Sequence, residues 1–122
     1  MPQRPIVMVD KPGEIALARI GFKRASLGTA FRTFTSIGEL SSYLDRVGCG
    51  DEEPPRLVLA DMASMDGFEV VRRAVREGHR VVLLTNAETE RERASSRALR
   101  TEYCEKPMGV DGYATLFRAL AS

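Results

Sequence analysis

The sequence predicts one α/β domain built on a doubly wound, five-stranded parallel sheet with helices on both faces. Two observations predict it. Short, continuous apolar runs at Ile6–Val9, Leu57–Ala60 and Val81–Leu84 read as strands buried on both faces, the habit of parallel sheets. Segments of helical period separate them, and regular alternation of strand and helix implies right-handed crossovers packed on both sides of a parallel sheet. At 122 residues the chain fits one domain, placed at 1–122, with no repeat or linker left over.

The first strand, Ile6 to Val9, is closed by the turn Asp10-Lys11-Pro12-Gly13. From Glu14, Ile15, Ala18 and Phe22 recur at helical spacing, with Ile20 and Leu27 near the same side, and predict a helix ending near Gly28. Ala30 to Thr35 alternates weakly and reads as a strand at the side of the sheet. Ser36 followed by Glu39 is a capping-box signature, and Leu40, Tyr43, Leu44 and Val47 supply the apolar stripe of a second helix before Gly48. The acidic, breaker-rich stretch Gly48 to Pro55 predicts an exposed loop.

Strand three then runs to Asp61. Phe68, Val71, Ala74 and Val75 mark a third helix ending at Gly78, and strand four ends in Thr85-Asn86. Ala87 to Arg100 forms a nearly all-polar fourth helix with Ala94, Ala98 and Leu99 as its buried positions. Thr101 to Glu105 is a short fifth strand before Lys106-Pro107, and Tyr113, Leu116, Phe117 and Leu120 define the final helix.

Composition narrows the function. Hydrophobic residues at 43% and charged residues at 29% are the balance of a globular protein rather than a disordered one. A net charge of +1 gives no overall field for nucleic acid or an anionic membrane, so direct binding to either is not expected and any anion site must be local. The cysteines, Cys49 and Cys104, have no CxxC spacing, and the apolar run after Met1 is too short for a signal-peptide core or a span. A reduced, cytoplasmic setting is expected. No GxxxxGK[ST], GxGxxG or HExxH motif occurs, which counts against nucleotide-binding enzymes and zinc hydrolases.

Ligands of open parallel sheets bind beyond the carboxyl ends of the strands, so the residues closing each run form the candidate site. They are Asp10, Asp61, Thr85 and Lys106. Two carboxylates, a hydroxyl and an ammonium suit a divalent cation and a phosphoryl group, because hard cations take oxygen ligands and lysine donates to phosphate oxygens. The competing explanation is that Asp and Thr favour turns wherever strands end. His79 reads as a solvated turn residue, and Arg72, Arg73, Arg76, Arg91, Arg93, Arg97 and Arg100 read as solvated helix faces.

From Ile6 to about Leu120 the pattern resembles the receiver domain of two-component response regulators. The resemblance rests on Val9-Asp10-Lys11-Pro12, Leu57-Val58-Leu59-Ala60-Asp61, Met65-Asp66-Gly67-Phe68-Glu69-Val70, Val81-Val82-Leu83-Leu84-Thr85 and Tyr103-Cys104-Glu105-Lys106-Pro107. The long acidic loop before strand three is similar to that of a single-domain subfamily that includes phytochrome-associated regulators. The family implies a flavodoxin-like, chemotaxis-regulator-like sheet of order 2-1-3-4-5. It also implies Asp61 as phosphoacceptor from a histidine kinase or phosphotransfer protein, Mg²⁺ at Asp10 and Asp61, and Thr85 and Lys106 on the phosphoryl group. Thr85 and Tyr103 would form a switch read by a downstream protein at the helix 4–strand 5–helix 5 face. The same resemblance suggests a cis peptide at Lys106–Pro107. No enzymatic turnover, no effector domain within these residues and no membrane contact are expected; dimerisation stays open.

The sequence also departs from the family. Two adjacent acids usually follow strand one, and only Asp10 is present. In a gapless register Val9 takes the first acidic position and Asp10 the second; in the other register Lys11 takes the second, in the place of the cation. The loop after Asp61 is short, and Asn86 replaces the small residue that commonly follows the Thr. A phosphorylation-independent interaction module is therefore the alternative, and a small hydrolase with Asp61 as nucleophile is a third reading that no second catalytic constellation supports.

Overall fold

The computed structural model describes residues 4–61, 69–85, 94 and 97–121. The strands are β1 (Ile6–Val9), β2 (Phe31–Phe34), β3 (Leu57–Asp61), β4 (Val81–Thr85) and β5 (Glu102–Glu105). They alternate with α1 (Pro12–Ala25), α2 (Ile37–Gly48), α3 (Glu69–Arg76) and α5 (Gly109–Ala121), and helical residues at 94 and 97–99 mark α4. All pairings are parallel, in the order β2-β1-β3-β4-β5. The doubly wound sheet read from the sequence is the observed one, with β2 at one edge.

Every residue of β1, β3 and β4 is buried, as continuous apolar runs require when both faces are covered. Alternate side chains feed two cores. Val7, Val9, Val58, Ala60, Val81 and Leu83 face α2, α3 and Leu99 on one side. Ile6, Met8, Leu57, Leu59, Val82 and Leu84 face Ala18, Ala25, Tyr113 and Phe117 on α1 and α5 on the other.

Helix α1 starts at Pro12 rather than Glu14, because proline fits the first helical position, where its missing N–H would have no partner. It stops at Ala25, short of Gly28, where Ser26 turns left-handed at φ 52°. Ile20, expected inside, is 48% exposed. The side of α1 that meets the core is set by Ala18, Gly21 and Ala25, small residues that let it approach α5, and this turns Ile20 outward. On α4 Leu99 is buried as expected, whereas Ala94 and Ala98 are exposed; Leu99 meets the core of α2 and α3.

The capping box of α2 is present with its return bond displaced by one residue. Ser36 Oγ accepts from Glu39 N at 3.2 Å, while Glu39 Oε1 accepts from the N and Oγ1 of Thr35 at 3.3 and 2.9 Å. The loop after α2 is exposed at residues 48–51 and 53, as expected, and it is also pinned: Tyr43 Oη donates to Glu53 O at 2.7 Å, Arg32 pairs with Glu52 at 2.5 Å, and Pro55 is buried. His79 departs from the solvated turn residue the sequence suggests. Its N–H donates to Ala74 O, the turn folds back on α3, and its side chain is 8% exposed, which holds the imidazole below its ordinary pKa.

Arg72 lies on an exposed helix face paired to Glu69, as read from the sequence, but Arg73 bridges helices through Asp45 at 2.7 Å and Glu77 at 2.9 Å. No described peptide bond is cis, so Lys106–Pro107 is trans. Among the described residues no helix is long and apolar enough to cross a membrane.

Candidate functional site

Parallel register brings the strand-end residues to one edge. Val9 is level with Ala60, so Asp10, one step further, stands beside Asp61. Asp61 is level with Leu84, and Thr85 is level with Glu105, which Lys106 follows. A main-chain bond from Lys106 N to Thr85 O at 2.7 Å continues this pairing past the end of β5. The four sequence-predicted residues therefore meet although they span the chain from 10 to 106.

Asp10, Asp61 and Thr85 are 2%, 1% and 1% exposed. The Lys106 ammonium lies 3.0 Å from Asp10 Oδ2 and 3.3 Å from Asp61 Oδ2, one cation shared by two carboxylates. Its directed hydrogen bond goes to Asp10 Oδ1 at 3.3 Å, and that oxygen also accepts from Lys11 N at 2.7 Å. Among the described residues Asp10 Oδ2 accepts no directed hydrogen bond, and the buried Thr85 Oγ1 has no partner. Asp10 Oδ2 is nevertheless engaged by the Lys106 ammonium at 3.0 Å, which leaves Thr85 Oγ1 as the atom without a partner among the described residues, where buried polar groups normally find one.

Burial raises the Asp10 pKa above its ordinary value, against the opposing hydrogen bonds from Lys11 N and Lys106, and the charge of Asp61 adds to the rise. For Lys106 burial works against the charge, but the two carboxylates outweigh it and the ammonium is held above its usual range. The cluster is thus built around an ion pair in which burial opposes the charge of both Asp10 and Lys106.

One contact beside the pocket is not readable from the sequence. Tyr113, fully buried on α5, donates its hydroxyl to Glu14 Oε2 at 2.5 Å, linking α5 to the first turn of α1. Burial, then Glu14, then the charges of Asp10 and Asp61 all push the tyrosine pKa up, which places this hydroxyl within the field of the pocket. Residues 99 apart on two amphipathic helices carry no shared motif. Tyr103 is partly buried against the core that contains Leu99, on the sheet face away from α1 and α5. The loop 62–65, Asp66, Gly67, Phe68, Asn86, Arg91 and Arg93 lie outside the described residues.

Among the described residues no group of three Asp, Glu, His or Cys side chains could hold a metal ion. Among the described residues, Asp10 and Asp61 fit a hard cation as a two-carboxylate site completed by water, with Lys106 displaced from between them.

No family model and no curated protein matches the chain. Solved structures do. The response regulator of red-light signalling in R. palustris superposes with a TM-score of 0.78 at 23% identity, over 95% of this chain and 90% of that one. A response regulator receiver domain from Rhodospirillum rubrum gives 0.76 at 26% identity over 96% and 90%. The Mn²⁺-bound form of response regulator Rcp1 gives 0.77 at 17% identity over 96% and 91%.

Proposed function

From the premise that this chain has the fold of the response regulator receiver domains, we propose that it is a cytoplasmic signalling receiver phosphorylated on Asp61 by a histidine kinase or phosphotransfer protein. The observation that carries the reading is the Lys106 ammonium within 3.3 Å of two buried carboxylates at the ends of adjacent strands, with a buried Thr85 hydroxyl that has no partner among the described residues.

In the step, an Asp61 carboxylate oxygen attacks the phosphorus of a phosphohistidine. The new O–P bond forms as the P–N bond breaks, and the imidazole nitrogen keeps the electron pair and takes a proton. Lys106 holds the attacking carboxylate in place and faces the transferred oxygens, and the Thr85 hydroxyl is free to donate to one of them. Asp10 fixes Lys106 from the far side. A Mg²⁺ ion, when bound at Asp10 and Asp61, supplies neutralisation of the phosphoryl oxygens, the main demand of such transfers. Phosphorylation replaces the single negative charge of Asp61 by about −2. Drawing Thr85 toward the new oxygens opens space for Tyr103, so that α4, β5 and α5 carry the signal to a downstream protein.

Phosphoramidate with Mg²⁺, followed by intact-mass measurement, tests the reading. One added phosphoryl group, absent in Asp61→Asn, is the expected result; an unchanged mass beside a control receiver that gains the group overturns it. The single carboxylate after β1, followed by Lys11, favours a second reading as an interaction module. That reading predicts partner binding unchanged by Asp61→Asn.

A further inference from the structure

We propose that Lys11 is the second cation of this pocket, and that with Lys106 it neutralises the phosphoryl group on Asp61 so that acceptance needs no divalent ion. The inference rests on the receiver reading above and concerns how this chain meets the demand for positive charge.

Position comes first. Lys11 follows Asp10 directly, and its own N–H is bonded to Asp10 Oδ1 at 2.7 Å. It is the N-cap of α1 with φ −66° and ψ 151°, the extended conformation that a following proline imposes, and Pro12 fixes the first helical residue. The backbone of Lys11 is thereby held at the lip of the pocket from both sides. Its side chain is exposed and makes no hydrogen bond or ion pair among the described residues, so the ammonium, on a flexible four-carbon stem, is available.

Charge supplies the second argument. Asp10, Asp61 and Lys106 give the resting pocket a charge of −1. Phosphorylation replaces the single charge of Asp61 by about −2. An acid at position 11 would leave the phosphorylated pocket at about −3, and a divalent cation would bring it to about −1. Lysine at the same position reaches about −1 with no ion at all, because exchanging an acid for a base moves the charge by the same two units that a divalent cation carries.

The test uses the full chain, phosphoramidate as donor, and either excess EDTA or Mg²⁺. Asp61 takes the phosphoryl group, the P–N bond breaks, and the nitrogen leaves with the electron pair and is protonated to ammonia. Intact mass reads the product, and calorimetric titration of the unphosphorylated protein reads Mg²⁺ binding. The wild type is expected to be phosphorylated to the same extent, within about twofold, in EDTA and in Mg²⁺, whereas Lys11→Asp falls at least about tenfold in EDTA, recovers in Mg²⁺ and binds Mg²⁺ at least about tenfold more tightly. Lys11→Met, which adds no ligand, slows the reaction in EDTA without tightening Mg²⁺ binding, and equal urea midpoints confirm that both variants fold. A wild type that is phosphorylated only with Mg²⁺, with Mg²⁺ affinity unchanged in Lys11→Asp, overturns the assignment of Lys11 and leaves the receiver reading standing. No phosphoryl group on wild type or variants under either condition overturns the receiver reading itself.

Discussion

Gly21 on α1 lies so close to Tyr113 on α5 that a Cβ added to it would stand 2.6 Å from Tyr113 Cβ and 2.8 Å from Val110 O. Neither neighbour is the end of a flexible side chain. A Gly21→Ala variant gains about 1 kcal/mol of helix propensity but forces two backbones apart, an overpacking that costs about 1–3 kcal/mol. The net expectation is a lower urea midpoint, together with loss of the Tyr113 bond to Glu14, which sits just beyond this contact. A midpoint at or above wild type would show that the helices can part freely.

Asp10 and Lys106 should be energetically coupled. The folded protein holds Asp10 above its ordinary value of 3.8, so the fold favours the protonated acid, and stability is lost as pH rises from that value through the raised one. Asp10→Asn is therefore expected to raise stability at neutral pH by about 0.5–2 kcal/mol, a gain that fades in acid, where the group is protonated in both states. Lys106→Met leaves two buried carboxylates without their counter-ion and is expected to cost about 3–5 kcal/mol. In the Asp10→Asn background the cost should shrink, by about 0.5–3 kcal/mol in a double-mutant cycle of urea titrations.

Thr85→Val separates resting stability from switching. Removing a buried hydroxyl that has no partner among the described residues is expected to leave resting stability within about 1 kcal/mol of wild type or to improve it. The response to phosphorylation should nevertheless vanish. Nitration reports it cleanly, because Tyr43 and Tyr113 are fully buried and Tyr103 is the accessible ring among the three tyrosines. Phosphorylation is expected to slow nitration of Tyr103 in the wild type and to leave the rate unchanged in the variant.

Alkali should destabilise the domain through the same two buried rings. Burial holds both Tyr43 and Tyr113 above their ordinary value of 10.0. As pH rises past about 10 the unfolded chain releases these protons while the folded chain keeps them, so stability falls. Urea midpoints are expected to drop steeply above about pH 10, and the drop should flatten in a Tyr43→Phe/Tyr113→Phe double variant. A wild-type midpoint that is flat across that window contradicts the burial of both hydroxyls.

The elements whose pattern and packing agree were readable in the sequence. Val81 to Leu84 must be covered on both faces, so its end at Thr85 locates one corner of the pocket, and the same logic locates Asp10 and Asp61. What could not be read is how helices rotate and pair. Ile20 reads as near the side of Ile15 and Ala18, yet it stands five and two positions from them, off their helical period, and so faces away from the seam of Ala18, Gly21 and Ala25 that meets α5. Ala94 and Ala98 failed likewise, since alanine serves an exposed helix face as well as a buried one. The turn at His79 looked solvated because turns usually are, but a main-chain bond to Ala74 folds it inward. The Tyr113–Glu14 bond needs the α1–α5 crossing itself before either residue has a partner.

Strand β5 ends the sheet with four residues, and glutamates stand at both of its termini, Glu102 and Glu105, each exposed. A second strand laid along this border in a like orientation would bring carboxylates against carboxylates. Short length and negative ends are the usual protection of an open border against indiscriminate strand addition, the first step of fibril growth. The Arg80 fork on Glu102, at 2.7 and 2.9 Å, leaves Glu105 as the sentinel nearest Lys106. The border through which the domain would report its state is thus also the one guarded against sticking to its own kind.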